Sequence, residues 1–176
     1  MDFHTHNLQA DMPAIINIPL EWITHPEQAQ LRHGATYSVG IHPWWTEHQQ
    51  CEAWTKNLEA WAGHPQITAI GECGIDKVRG ADLNTQIDVF KKHILLSEHH
   101  QKPLTIHCVR AFDIIMNLKK EMRPTQRWTI HGFRGKPTLA QQLLNAGFYL
   151  SFGKRYNPQS FDCCPESRRF NESDDA

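Results

Sequence analysis

Short apolar runs recur eight times along the chain, and most are followed by a segment with helical periodicity. They read as strands at Asp2–His6, Ala14–Ile18, Thr36–His42, Ile67–Glu72, Pro103–His107, Arg127–His131, Phe148–Phe152 and Arg169–Asp174. Most lack the polar–apolar alternation of a half-wet strand, which predicts parallel strands buried on both faces. Between them, Cys51, Trp54, Leu58 and Trp61 form one helical stripe closed by Gly63, and Leu83, Ile87, Phe90 and Ile94 form a second. A third helix is expected from about Ala111 to Met122, stopping before Pro124, and a fourth from Pro137 to Gly147. A shorter one follows Asn157–Pro158, an N-cap and a first-turn proline. Eight strands alternating with helices predict an α/β fold, a (β/α)8 barrel rather than an open sheet. At 176 residues the barrel must be compact, with a weak helix after the second strand and lacking the helix after the last strand. No linker, repeat or low-complexity segment divides the chain, so residues 1–176 are expected to form one domain. The segment Asn171–Ala176 is polar and acidic, and by composition alone reads equally well as a frayed tail.

Composition narrows the function classes. No apolar run approaches the ~20 residues of a membrane helix, so no membrane association is expected. The N-terminus lacks the basic and apolar regions of a signal peptide, and five cysteines, two of them adjacent, do not suggest a disulfide framework. A cytoplasmic location with reduced thiols is the corresponding expectation. A net charge of -1 supplies no global attraction to nucleic acid, so any polyanion binding must be local. The exceptional count is twelve histidines, and their placement matters most.

His4 and His6 lie two apart on one strand and so share a face, where both can reach one ion. Glu72, His107, His131 and Asp174 each end a predicted strand of their own. In a (β/α)8 barrel those ends surround a single mouth, where active sites are built. The separations of 35 residues from Glu72 to His107 and 24 from His107 to His131 each fit one strand–helix unit. A buried histidine by itself is usually a hydrogen-bonded core residue. Four histidines and a carboxylate at the strand ends of one barrel point instead to a metal centre.

The series DFHTH, GIHPWW, AIGECGID, TIHCVRA, TIHGFRG, YLSFG and ESDD, in that order from Asp2 to Asp175, resembles the motif series of the TatD family of metal-dependent hydrolases. The resemblance implies a TIM barrel, two divalent cations and hydrolysis of phosphodiesters in DNA, often as an exonuclease. Carried over by motif, His4 and His6 would hold the first metal, His107 and His131 the second, with Glu72 bridging them. Asp174 would match the final acidic motif, which binds the first metal and orients or deprotonates the attacking water. Here that motif reads Phe170-Asn171-Glu172-Ser173-Asp174, where the family has Glu-Thr-Asp after an apolar strand. The mixed His/carboxylate set suits Zn, Mn or Fe better than Ca, and Mg could join with substrate oxygens.

Other residues have expected places near the mouth. His42, in the Gly-x-His-Pro motif, would touch substrate or fix its loop, and Asp76 would orient a ligand histidine. Arg134 is the best phosphate clamp by position, and Arg110 would also favour phosphate. Trp44 and Trp45 either stack on a base or pack over the rim. Cys73 and Cys108, each following a ligand, are expected to face away from the mouth. The leading functional expectation is a two-metal phosphodiesterase acting on DNA ends or short strands. The alternatives are a two-metal hydrolase of a small carboxylic ester, lactone or amide, and a non-catalytic metal-binding remnant. A last strand without its covering helix would leave apolar surface that a second subunit could cover, giving a monomer or homodimer.

Overall fold

The computed structural model describes residues 1–174, so Asp175, the last acidic residue of the motif series, lies outside the described residues. Eight strands form one parallel sheet in sequence order: β1 (Asp2–Thr5), β2 (Ala14–Asn17), β3 (Thr36–Val39), β4 (Ile67–Asp76), β5 (Leu104–Val109), β6 (Trp128–Ile130), β7 (Tyr149–Phe152) and β8 (Arg169–Asn171). The helices are α1 (Leu20–Thr24), α2 (Cys51–Ala62), α3 (Leu83–His100), α4 (Phe112–Met122), α5 (Pro137–Asn145) and α6 (Pro158–Cys163). α1 is the short helix expected after the second strand, and β1 passes to β2 through a loop with no helix. β8 is the last element among the described residues.

The sheet curls until its first and last strands meet, giving a nearly closed barrel. The Asp174 amide donates to the His4 carbonyl at 3.1 Å. The Asp2 carboxylate accepts from the Ser173 amide at 2.9 Å and its hydroxyl at 2.6 Å. The Phe3 and Phe170 rings stack with centroids 4.5 Å apart. Buried aliphatic and aromatic side chains from every strand but β8 fill the core, among them Ile16, Val39, Ile70, Ile106, Ile130 and Leu150. No helix among the described residues is long and apolar enough to cross a membrane.

Every strand differs from the sequence expectation at one end or both, β5 running two residues past His107, and three of the shifts have a plain cause. β3 stops at Val39 because Pro43 starts a tight 3-10 turn, leaving His42 as its cap rather than a strand residue. β4 runs four residues past Glu72, with an irregular register against β5 between Ile70 and Cys73. Gly71 and Gly74 permit it: both have positive φ, and a Cβ would fall 2.3 Å from the Thr105 oxygen and 2.0 Å from the His107 oxygen. β8 ends at Asn171, so Asp174 lies beyond the strand, at φ +50°.

α3 fixes two of the ends that face the mouth. Asp82 caps it, accepting from the amides of Asn84 and Thr85. The buried Gln86 side chain accepts from the Asp76 amide at 2.8 Å and donates to the carbonyls of Asp76, Arg79 and Ala81. One helical face further on, buried His93 accepts from the Ile41 amide at 2.8 Å and donates to the Val89 carbonyl at 2.8 Å. Burial drops the His93 pKa to about 4, so the ring is neutral and its acceptor nitrogen stays available.

Candidate metal centre

The site starts at β1, where alternation points His4 inward and the chain leaves the strand so that His6 turns to the same place. Their Nε2 atoms are 3.2 Å apart. Across the barrel, the β4 irregularity aims Glu72 at the same point. The Glu72 amide is held by the side-chain oxygen of buried Asn17 on β2, at 2.7 Å, and Asn17 accepts in turn from the Ser38 hydroxyl.

Five imidazole rings surround the Glu72 carboxylate. His4 Nε2 and His6 Nε2 face Oε2 at 3.2 and 3.1 Å. His42 Nε2, His107 Nδ1 and His131 Nε2 face Oε1 at 3.0, 2.8 and 2.7 Å. The Asp174 carboxylate stands 3.8 Å from both His4 Nε2 and His6 Nε2. Two carboxylate oxygens cannot each be best served by so many rings as a plain hydrogen-bond network. Imidazole nitrogens turned toward one another and toward a shared carboxylate are the donor set of a cation site. Three overlapping groups keep their donor atoms within 4.8 Å of one another: His4, His6 and Glu72; His4, His131 and Asp174; His42, Glu72 and His107. These groups could hold a metal ion, and the two Glu72 oxygens face different sets of rings.

A second layer of carboxylates stands behind two of the rings. Asp76 Oδ2 lies 3.2 Å from His107 Nε2 and accepts from the Trp44 indole at 2.7 Å. Glu172 Oε1 lies 3.4 Å from His131 Nδ1 and accepts from the Gly132 amide at 2.6 Å. Such partners fix which ring nitrogen faces a metal and raise its basicity. Burial opposes ionisation of Glu72, but His131 and the rings around it outweigh that and hold the carboxyl well below its ordinary range. Burial likewise opposes charge on Asp76, where the Trp44 indole and the Val78 amide prevail and lower its pKa. Burial also works against the Glu172 charge, and contact with His131 wins. Without cations, burial disfavours His131 imidazolium, yet Glu72 and Glu172 drive its pKa well above the ordinary value. His42 goes the other way, because burial dominates over Glu72.

The structure therefore brings together His4, His6, Glu72, His107 and His131, with Asp174 at the edge. His42 stands among them, at 3.2 Å from His107 Nδ1, as well as fixing its loop by accepting from the Trp44 amide. Arg110 and Arg134 are exposed and line a groove that opens beside His107, His131 and Asp174. Trp44 packs over the rim, its ring covered by the Arg79 guanidinium at 4.0 Å. Cys73 is buried, whereas Cys108 is half-buried and lines that groove instead of facing away. Sequence reasoning missed Asn17 and Glu172. The acidic-motif position directly before Ser173-Asp174 was the available signal for Glu172.

The family described as TatD related DNase matches residues 13–162, a stretch that includes Glu72, His107 and His131. A protein of Buchnera aphidicola named an uncharacterized metal-dependent hydrolase is 34% identical over 117 residues, covering 65% of this chain and 43% of its own length. A 3'-5' ssDNA/RNA exonuclease TatD of Erwinia tasmaniensis is 27% identical over 115 residues, covering 64% and 44%. The chain thus spans less than half the length of these curated relatives. The crystal structure of a TatD family hydrolase from Entamoeba histolytica superposes with a TM-score of 0.70 at 20% identity, over 92% of this chain and 60% of that one.

Proposed function

This chain belongs to the TatD-related DNase family, and from that premise we propose that it is a metal-dependent phosphodiesterase acting on short or single-stranded nucleic acid. The observation that carries the reading is the convergence of five imidazoles on the two oxygens of Glu72. His4, His6 and Glu72 would hold one cation, and His107, His131 and His42 with the other Glu72 oxygen would hold a second. When bound, two divalent cations such as Zn or Mn supply a water of lowered pKa and offset charge on a phosphodiester under in-line attack. The protein side chains do the rest. Asp174, at the edge of the His4–His6 pair, accepts the proton of the attacking water. Asp76 and Glu172 hold the His107 and His131 rings in register. Arg110 and Arg134 at the rim bind the phosphodiester oxygens, a guanidinium presenting two parallel donors where an ammonium presents a point charge.

Reduced surroundings and a cytoplasmic location are part of the same reading. Its test is turnover of bis-p-nitrophenyl phosphate and of a single-stranded oligonucleotide, lost on chelation and restored by Mn or Zn. Hydrolysis that ignores the chelator would contradict it. Turnover of carboxylic esters with no phosphodiester cleavage would replace it with a small-ester hydrolase on the same ligands.

A further inference from the structure

Of the twelve histidines, five surround Glu72 and His93 is buried in α3. Two more, His99 and His100, end α3, and both face a carboxylate on α2. Glu59 Oε1 lies 2.9 Å from His100 Nε2 and 3.7 Å from His99 Nε2. The two rings stand edge to face, with centroids 4.9 Å apart. One donor atom from each of the three residues falls within 4.8 Å of the other two. The cluster is remote from the mouth. Gln86 holds Asp76 there, and His99 lies thirteen residues further along α3, about 20 Å at ~1.5 Å per residue.

We propose that Glu59, His99 and His100 form a peripheral site for a zinc-class divalent cation, which clamps the end of α3 to α2. The inference is independent of the phosphodiesterase reading. Spacing carries it. Donors bound ~2.0–2.2 Å from a tetrahedral ion stand ~3.3–3.6 Å from one another. The two Glu59–imidazole separations, 2.9 and 3.7 Å, bracket that range, so small side-chain rotations seat the ion. A plain ion pair needs one histidine, whereas here both Nε2 atoms turn to the same oxygen. Two imidazoles and one carboxylate suit Zn, and are a poor match for Mg, which prefers oxygen throughout. The last turn of α3 is also the negative end of its helix dipole, which favours a cation there. The neighbouring Glu98 is taken by Thr125 and Gln126, so these three side chains are the donors and water completes the shell. Glu59 and His99 are exposed, so the ion exchanges with solvent and leaves when excess metal is removed.

The experiment is equilibrium dialysis of the full chain against Zn2+ across micromolar free concentrations, with ions per chain counted before any excess is removed. His99→Gln with His100→Gln should bind one ion fewer than the wild type at saturation, with the mouth residues untouched. Glu59→Gln, a change at an exposed position, should weaken that same ion at least 10-fold. A control pair of exposed histidines, His25→Gln with His33→Gln, should bind as many ions as the wild type. Mg2+ in place of Zn2+ should show no difference among these proteins. Equal Zn2+ counts in the wild type and the His99/His100 variant would overturn the site, as would an unchanged affinity in Glu59→Gln. An equal loss in the control pair would reduce the effect to unspecific histidine binding, and a matching loss with Mg2+ would reduce it to charge; either result overturns the proposal.

Discussion

Asp174 occupies a left-handed backbone position just past β8, from which its carboxylate approaches His4 and His6. In the proposed mechanism it accepts the proton of the attacking water, and so should be dispensable for holding cations but not for turnover. Asp174→Asn is expected to keep most of the bound metal and lose ~10²-fold or more in kcat, the scale of a lost general base. Near-wild-type turnover would remove Asp174 from the mechanism. The ligand-type residues His4, His6, Glu72, His107 and His131 were legible because each is an unusual side chain at the end of an apolar run. Glu172 and Asn17 were not. Glu172 had only its place in the acidic motif to mark it, and a single Asn inside a strand says nothing until the fold shows that Asn17 reaches the Glu72 amide and Glu172 the His131 ring.

At the scale of elements, the strands were legible as apolar runs, whereas their ends were set by interactions that periodicity does not record. β4 continues past Glu72 because glycines at 71 and 74 let β5 come close, and β8 stops early because Glu172 turns inward. Closure of the barrel depends on a few bonds between β1 and the residues just past β8, among them those of the Asp2 carboxylate with Ser173. Asp2→Ala should therefore cost about 2 kcal/mol in chemical denaturation, as for hydrogen bonds to a charged group. A loss below a few tenths would show that the stacked Phe3–Phe170 pair holds the seam unaided. α3 carries a pH-dependent contribution through His93. Neutral in the fold with a pKa near 4 and ordinary at 6.5 when unfolded, His93 stabilises fully above 6.5. That contribution is lost as pH falls from 6.5 toward 4, because only the unfolded chain takes up the proton. His93→Gln keeps an acceptor for the Ile41 amide and removes the titration. The stability difference between wild type and this variant should shrink by about 2 kcal/mol from pH 7 to pH 5. An unchanged difference would contradict the buried neutral ring.

Over the whole molecule, the barrel gathers into one mouth the ligand-type residues that the sequence scatters from His4 to Asp174. Eight apolar runs, most of them followed by a helical segment, made that architecture readable. Arg110 and Arg134 were readable at the rim from their places after His107 and His131, whereas Arg155 was not, because only the fold brings the loop after β7 beside Arg134. On the proposed reading, activity depends on cations at the mouth, held as a pair by one carboxylate. The direct measurement is elemental analysis of the purified protein after reconstitution with Zn or Mn and removal of excess. Two ions per chain in the wild type, both lost in Glu72→Ala, is the predicted result. One ion or none in the wild type, or a variant that still holds two, would contradict it.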